Sequence, residues 1–395
     1  MSKYSSRLIY LDVLRGFALF GIVIVNIWYF ADSHFGAELS HPAYQRGIDK
    51  GIRFLNALIF EAKFYLLFSF LFGYSFYLQS VSAERHGENF SIRILRRLGG
   101  LLLLGLLHSC LLYDAEILSL YACCGVILLL LRNKRPALLL GLSLLLLVFS
   151  ASIWFLLAQF VELKPELHGD LQRLQAFRSS AWATLNYHLQ NTPEMFGNLR
   201  ILQAPSVIAM FLFGYLCARQ DYLPSAMRGL VNLRAFFLPW LAFLAPPAFI
   251  CAFFYALSTQ FTSFHHAQVW AYGLQQLSAP LLSAVYVFAL FYWMLKKPDS
   301  VWLQKMAYAG KFALSNYLMQ SVLLGLIFTA YGLALIDQLA PWQIYLIAIL
   351  IYVVQLQLSA WWGLRYRYGP AEYILRAITL WRLPEVRIKS SDLST

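Results

Sequence analysis

Apolar runs follow one another along the whole chain, at about 10–30, 55–80, 98–114, 116–131, 137–160, 204–218, 235–257, 268–295, 308–331 and 341–362. Most match the ~20 residues that a helix needs to cross the hydrocarbon of a bilayer. Lipid accepts only segments that satisfy their own backbone hydrogen bonds, so runs of this length predict helices. The third, fourth and sixth are the shortest. Composition leads the same way: of 395 residues, 60% are hydrophobic and 13% charged, with a mean hydropathy of +0.61. A soluble chain of this length has no core able to hide that much apolar surface. The expected fold is all-α and polytopic, with about ten transmembrane helices.

The formal net charge of +12 could suggest nucleic acid, but its placement argues otherwise. The basic residues sit in short clusters between apolar runs, as in membrane loops that meet anionic lipids at the cytoplasmic face. With the N-terminus inside, inner segments hold Lys3 and Arg7, then Arg85, Arg93, Arg96 and Arg97, then Arg132, Lys134 and Arg135. Further along they hold Arg219, Arg228 and Arg234, then Lys296, Lys297, Lys305 and Lys311, and a tail with Arg365, Arg367, Arg376, Arg382, Arg387 and Lys389. Outer segments hold only Arg46, Lys50, Arg53, Lys164, Arg173, Arg178 and Arg200. The asymmetry predicts both termini in the cytoplasm, with lipids as partners and no nucleic acid.

The expected organisation is an N-terminal half of about five spans (1–160), an amphipathic extracytoplasmic segment (161–203), a C-terminal half of about five spans (204–362) and a basic cytoplasmic tail (363–395). The extracytoplasmic segment carries Pro165, Trp182, Tyr187, His188 and Pro193, a composition that suits helices lying along the membrane surface, even a lid. The five cysteines, Cys110, Cys123, Cys124, Cys217 and Cys251, lie in or beside apolar runs without a CxxC pair and read as buried thiols. Asp12 and Arg15 interrupt the first run, and no small-residue cleavage site follows, so a removed signal peptide is not expected. One pentapeptide repeats, Phe70-Leu71-Phe72-Gly73-Tyr74 and Phe211-Leu212-Phe213-Gly214-Tyr215. Both copies end spans of the same direction, as an internal duplication or a Phe/Leu-rich coincidence would produce.

Polar side chains inside a span cost free energy unless they face protein or water, so they are the functional candidates. In the first run Asp12 and Arg15 share a face, and Asn26 falls on the same stripe ~16 Å further along. Gly16 and Gly21 would let a neighbouring helix approach. The group reads either as an ion pair with an interhelical hydrogen bond or as part of a site. In the third run His108 lies in the outer half, with Asp114 and Glu116 at the turn that follows; Arg96 and Arg97 stand ~16 Å below it. A histidine near carboxylates can be held in one tautomer and act as a general base; the alternative is a satisfied interfacial histidine with solvated acids. In the ninth run Asn316 and Gln320 stack on one face, as amides that join helices do. Lys63 stands at the edge of the second run. Arg365, Arg367 and Arg376, interleaved with aromatics in the tail, suit lipid headgroups or a phosphate-bearing ligand. His265 and His266 are adjacent and point in different directions, which argues against a metal site, and none is expected. No P-loop, GxGxxG, HExxH or GxSxG pattern occurs.

Five blocks carry a resemblance. They are Leu11 to Asn26, reading L-D-x-L-R-G-x-A-L-x-G-I-x-x-x-N; Lys63-Phe64 leading into Leu67 to Gly73; R-x-L-x-x-L-x-x-x-G-L-x-H from Arg96 to His108; G-x-x-A-L-x-N-Y-x-x-Q-S from Gly310 to Ser321; and G-P-x-E-x-x-x-R from Gly369 to Arg376. In this order they resemble the YeiB-like membrane proteins that carry the DUF418 domain. The length and closeness look like the type found in enteric and related Gram-negative bacteria. One departure concerns the stretch after the histidine, where the family often has G-D-I-L and this chain has Ala115-Glu116-Ile117-Leu118; it leaves open whether Glu116 or Asp114 partners His108. The opening block and the helix layout also look like the transmembrane acyltransferases, including the lysosomal heparan-glucosaminide N-acetyltransferases.

That resemblance implies an acyl-CoA-dependent transfer from the cytoplasm to an extracytoplasmic sugar or lipid-linked glycan. Arg93, Arg96, Arg97, Arg365, Arg367 and Arg376 would hold the phosphates of acyl-CoA, such as acetyl-CoA. His108 would act as base or carry the acyl group, oriented by Glu116 or Asp114. Asp12, Arg15, Asn26, Lys63, Asn316 and Gln320 would line the passage. Family analogy allows a homodimer, which the sequence itself does not show. The rival readings are a small-molecule transporter using the same intramembrane polar residues and a non-catalytic membrane scaffold.

Overall fold

The computed structural model describes residues 5–33, 46–160, 171–223, 238–260 and 265–387. Lys3, Lys164, Pro165, Arg228, Arg234 and Lys389 lie outside them, as do the side chains of Arg7 and Arg200. Each of the ten apolar runs contains a helix among the described residues. In chain order the helices are α1 (Ser5–Ala31), α2 (Gly47–Leu55), α3 (Lys63–Arg85), α4 (Phe90–Leu111), α5 (Leu118–Leu131), α6 (Pro136–Phe160) and α7 (Leu171–Ser179). They continue as α8 (Ala181–Arg219), α9 (Leu238–Ser258), α10 (His265–Lys296), α11 (Val301–Lys311), α12 (Ala313–Phe328), α13 (Pro341–Gly363) and α14 (Pro370–Leu380). Among the described residues, seven segments are long and apolar enough to cross a membrane, and α11 with α12, bent by 86°, makes an eighth if counted as one span. α5 and Ala242–Ser258 are shorter apolar helices that occupy the two remaining runs.

The exposure pattern is that of a membrane protein. α6, the most apolar of these helices, turns Leu144, Leu145 and Phe160 outward at 57%, 62% and 78% exposure. Water would penalise each such side chain, whereas lipid does not. Polar residues do the reverse: Lys63, Arg173, His188 and Gln275 have no exposed surface. The chain is a multi-pass, all-α membrane protein. All five cysteines are free thiols; Cys123 faces outward on α5 instead of being buried, because its neighbour Cys124 takes the inward face.

Close backbone crossings hold the bundle together. At Gly16 a Cβ would overlap the backbone of Met306, and at Gly310 it would overlap Asp12, so α1 and α11 meet where neither helix has a side chain. The repeated pentapeptides form a second crossing. A Cβ at Gly73 would strike the Phe211 carbonyl, and one at Gly214 would strike the Phe70 carbonyl. Equivalent positions of the two copies thus contact each other reciprocally, which is the signature of a two-fold relation. Phe72 stacks on Phe211 with ring centroids 4.5 Å apart beside this crossing. Gly73→Ala and Gly214→Ala are each expected to force α3 and α8 apart at a cost of about 1–3 kcal/mol. Thermal unfolding in detergent measures this, and unchanged midpoints for both would refute the tight crossing.

The residues expected as an amphipathic segment beyond 180 form the first half of α8, a helix of 39 residues that continues into the sixth apolar run. The tail forms α14, which buries Ala371, Leu375 and Thr379 on one face and packs Leu375 and Ile378 against Gly100 of α4.

Candidate functional site

α4 is continuous from an asparagine cap, where Asn89 accepts from the Ile92 amide at 3.3 Å, to Leu111. It therefore joins an arginine-rich end, with Arg93, Arg96 and Arg97, to His108 at the opposite end. The chain then turns through Tyr113 and Asp114, and Glu116 lies just before the start of α5. Its carboxylate accepts from the Leu118 amide at 2.5 Å, from the Ser119 amide at 3.1 Å and from the Ser119 hydroxyl. Glu116 thus caps the positive end of a helix. Gly105 leaves room for it, since a Cβ there would fall 3.0 Å from Glu116 Oε2.

His108 is 3% exposed, set edge-on to Tyr317 with centroids 5.2 Å apart and tilted against Tyr113 at 5.9 Å. Neither ring nitrogen has a hydrogen-bond partner among the described residues. Buried polar atoms are normally satisfied, so two orphaned nitrogens on one ring call for an explanation. A second histidine stands beside it: His188 of α8 is fully buried and near enough to act on His108 electrostatically. Asp114 pairs with His188 and not with His108, with Nδ1 to Oδ1 at 3.4 Å. The same carboxylate accepts a hydrogen bond from the Tyr29 hydroxyl of α1. Arg173 of α7 lies over the Tyr29 ring at 4.9 Å and donates to the Asp32 carbonyl at 2.5 Å. Ser109 and Thr192 tie α4 to α8 through a 3.0 Å hydroxyl contact. Tyr113 is wholly buried here, and burial raises its phenol above the usual range.

The arginine-rich end is a second cluster. Arg15 donates to Asp12 at 2.6 Å and to the Ser75 hydroxyl at 2.5 Å. Arg97 feels the charges of Arg15, Arg93, Arg376 and Glu372, and its Nε is buried without a partner among the described residues. Arg93 is paired with Glu88 at 2.8 Å. Arg96 and Arg365 are exposed and lie over Trp381 at 5.2 Å and Trp361 at 4.5 Å. Arg376 lies over Tyr368 at 4.8 Å. Arg367 and Asp12 both act on Lys311, at the α11–α12 bend. Glu372 of α14 accepts from the amides of Leu314 and Ser315 at 2.7 and 3.1 Å and from the Ser315 hydroxyl, capping the half-helix α12. Burial raises this carboxyl above its ordinary range, and the hydrogen bonds from Ser315 pull it back.

The remaining predicted residues hold helices together or stand apart. Asn316 donates to Ala309 O and to Ser359 Oγ, both at 2.9 Å, while Gln320 donates to Gln355 Oε1 at 2.9 Å and to Leu19 O at 3.3 Å. Asn26 is half-buried, with no side-chain hydrogen bond among the described residues. Lys63 is wholly buried and donates to Ala57 O at 2.8 Å. It belongs to a third cluster, at the break between α2 and α3. A π-helical turn (Asn56–Phe60) ends there at Glu61, and Ala62 is left-handed at φ 67°. Glu61 accepts from Arg53, from Asn56 at 2.6 Å and from the Tyr255 hydroxyl at 2.6 Å. Carbonyls freed by the break are met by Lys63, by Tyr286 on Ile59 at 2.8 Å and by Gln275 on Glu61 at 3.1 Å. His266 rests on the Ala158 carbonyl at 2.6 Å.

Comparison with known proteins bears on which family built these clusters. A family described as "Protein of unknown function (DUF418)" matches residues 218–382. The uncharacterized protein YxaH of Bacillus subtilis is 30% identical over 399 residues, covering 95% of this chain and 94% of its own. The chain belongs to the DUF418 family. An uncharacterized 39.9 kDa protein encoded beside an amylase of Bacillus acidopullulyticus is 29% identical over 93% of this chain and 92% of its own. YeiB of Escherichia coli, also uncharacterized, is 27% identical over 95% of this chain and 96% of its own. That value places YeiB among this chain's relatives and does not identify the two, so the enteric resemblance holds at the level of the family. No solved structure matches.

Within the DUF418 chain, two of the family-like blocks prove to be one structural unit. Glu372 of the block at 369–376 caps α12, which belongs to the block at 310–321. Ala371 N also donates to Ser315 Oγ at 2.9 Å. A Cβ at Gly369 would collide with Ser315 and Glu372, which accounts for the glycine there. Sequence reasoning missed His188, Tyr29, Arg173 and Glu61 as members of polar clusters. A charged or titratable residue in a segment of mixed composition gives no sign of burial; only the family of contacts around it does.

Proposed function

We propose that this DUF418 protein transfers an acyl group from acyl-CoA, bound at the arginine-rich end, to an acceptor at the His108 end. The supporting observation is His108 itself: a buried ring with both nitrogens unpartnered, on one unbroken helix, ~16 Å from Arg97. That spacing suits a long flexible donor such as a phosphopantetheine arm, with its phosphates among arginines and its thioester at the far end. Arg97, with Arg15, Arg93 and Arg376 around it, is the centre of the phosphate site; Arg367 and Lys311 flank it. Arg96 and Arg365, turned outward over tryptophans, fit lipid headgroups better than the donor. His108 meets the reacting carbonyl in a water-poor pocket, where a hydrogen bond to developing charge counts for most.

Acetyl-CoA binding to the purified protein in detergent, measured by titration calorimetry, tests the reading. Arg97→Ala is expected to weaken binding by about 10–100-fold, the worth of one charge-assisted contact. Equal affinity in wild type and variant removes the donor site.

The two broken helices favour a second reading. Discontinuous spans with polar side chains at the breaks are how many transporters build a midplane site. The α2–α3 break and the α11–α12 bend both have this form. Solute movement into proteoliposomes without consumption of acyl-CoA would select it over transfer.

A further inference from the structure

We infer that His188, held by Asp114, is the proton-accepting catalytic residue of the outer site, and that His108 serves as the hydrogen-bond donor to the substrate carbonyl. The inference rests on acyl transfer being the activity. Two buried histidines lie near enough to feel each other's charge, and among the described residues the ion-pair contact with Asp114 is made by His188. Asp114 Oδ1 lies 3.4 Å from His188 Nδ1, an ion-pair contact, and the ring nitrogens of both histidines are otherwise without a hydrogen-bond partner among the described residues. A carboxylate at one nitrogen fixes the ring and offsets the positive charge that proton capture brings, the logic of every Asp–His pair in acyl transfer. The Tyr29 hydroxyl donates to the same oxygen of that carboxylate, and Arg173 lies over the Tyr29 ring. The carboxylate is therefore braced from α1 and α7. His188 is itself clamped, with Phe177 at 5.4 Å and Tyr187 at 5.9 Å between ring centroids. The ring contacts of His108 are with Tyr113 and Tyr317, which position a neutral ring without drawing a proton to it.

The acceptor oxygen bonds to the thioester carbonyl carbon while its proton passes to His188 Nε2. The carbonyl π pair moves onto oxygen, where an N–H of His108 donates to it. The oxyanion then collapses, the carbon–sulfur bond breaks with its pair going to sulfur, and the thiolate takes the proton back from His188. The products are the acylated acceptor and free CoA thiol, with both histidines and Asp114 restored. Asp114 touches no substrate; it is a positioning residue.

The test uses the full chain in detergent, acetyl-CoA as donor and water as acceptor, with release of CoA thiol as the readout. His188→Gln is expected to lower kcat by about 10²–10⁴-fold, with KM and the calorimetric Kd for acetyl-CoA changed less than about threefold. Asp114→Asn keeps the shape and the Tyr29 contact and is expected to lower kcat by at least about tenfold, again without a KM effect. If His188→Gln does not fold, Asp114→Asn decides the same question. Loss of turnover in His108→Gln with kcat retained in His188→Gln overturns the assignment of His188 and leaves acyl transfer standing. A wild-type protein that neither binds nor turns over acetyl-CoA overturns both.

Discussion

Replacing His108 with alanine is expected to lower acyl transfer by about 10²–10⁴-fold while acetyl-CoA binding stays within about threefold of wild type. An imidazole taken out of water without a hydrogen bond loses roughly 1–3 kcal/mol, and His108 carries two such nitrogens among the described residues. Nothing local repays it: the neighbouring Ser109 is bonded to Thr192 and not to the ring, and a leucine between Tyr113 and Tyr317 would leave no polar atom unpaired. A group that a stable fold would do better without is best explained by use. The structural alternative has its own outcome. If His108 merely fills space, His108→Phe keeps both aromatic contacts and keeps the activity; if it meets the reacting carbonyl, His108→Phe is as inactive as His108→Ala. Activity retained in His108→Phe would remove the residue from the chemistry.

The bundle was legible because length and apolarity alone decide which segments span lipid, and all ten runs became helices. The Asp12–Arg15 pair was legible too, since residues three apart on a helix meet whatever surrounds them. Asn316 and Gln320 joined helices as their stacking on one face implied. What periodicity could not reach were contacts between distant segments. His188 sits in a stretch of mixed polar composition that resembles a surface loop until α8 forms and α7 packs on it through Phe177. Asp114 could have served either histidine, and only the turn after α4 decides that it meets His188 while Glu116 turns back to cap α5. Glu372 lies 58 positions from the amide it caps, a distance at which sequence carries no geometric information. The break at Ala62 was hidden for a different reason: alanine gives no hint of a left-handed backbone, and an apolar run reads the same whether straight or bent.

That break carries the second large expectation. Glu61→Ala should destabilise the protein by about 3–5 kcal/mol, the usual result of removing one partner from a buried ion pair. Arg53 and Glu61 side chains are 4% and 17% exposed, so solvent does little to replace the lost carboxylate. Three donors converge on it, from Arg53, Asn56 and Tyr255, and together they tie α2, the π-helical turn and α9 to the break. Asn56 passes the constraint on, accepting from the Tyr345 hydroxyl of α13 at 2.9 Å. Glu61→Gln keeps an acceptor but loses the charge, and its cost should fall between wild type and Glu61→Ala. The pair itself need not be stabilising, because taking both ions out of water costs about as much as their attraction returns. Arg53→Leu combined with Glu61→Leu should therefore recover most of the loss, whereas independent roles would make the two substitutions additive. Unfolding in detergent on wild type, single and double variants measures the coupling. A Glu61→Ala protein within about 1 kcal/mol of wild type, or a double variant no more stable than the single, would mean that the break is held by the carbonyl contacts of Lys63, Tyr286 and Gln275 and not by the ion pair.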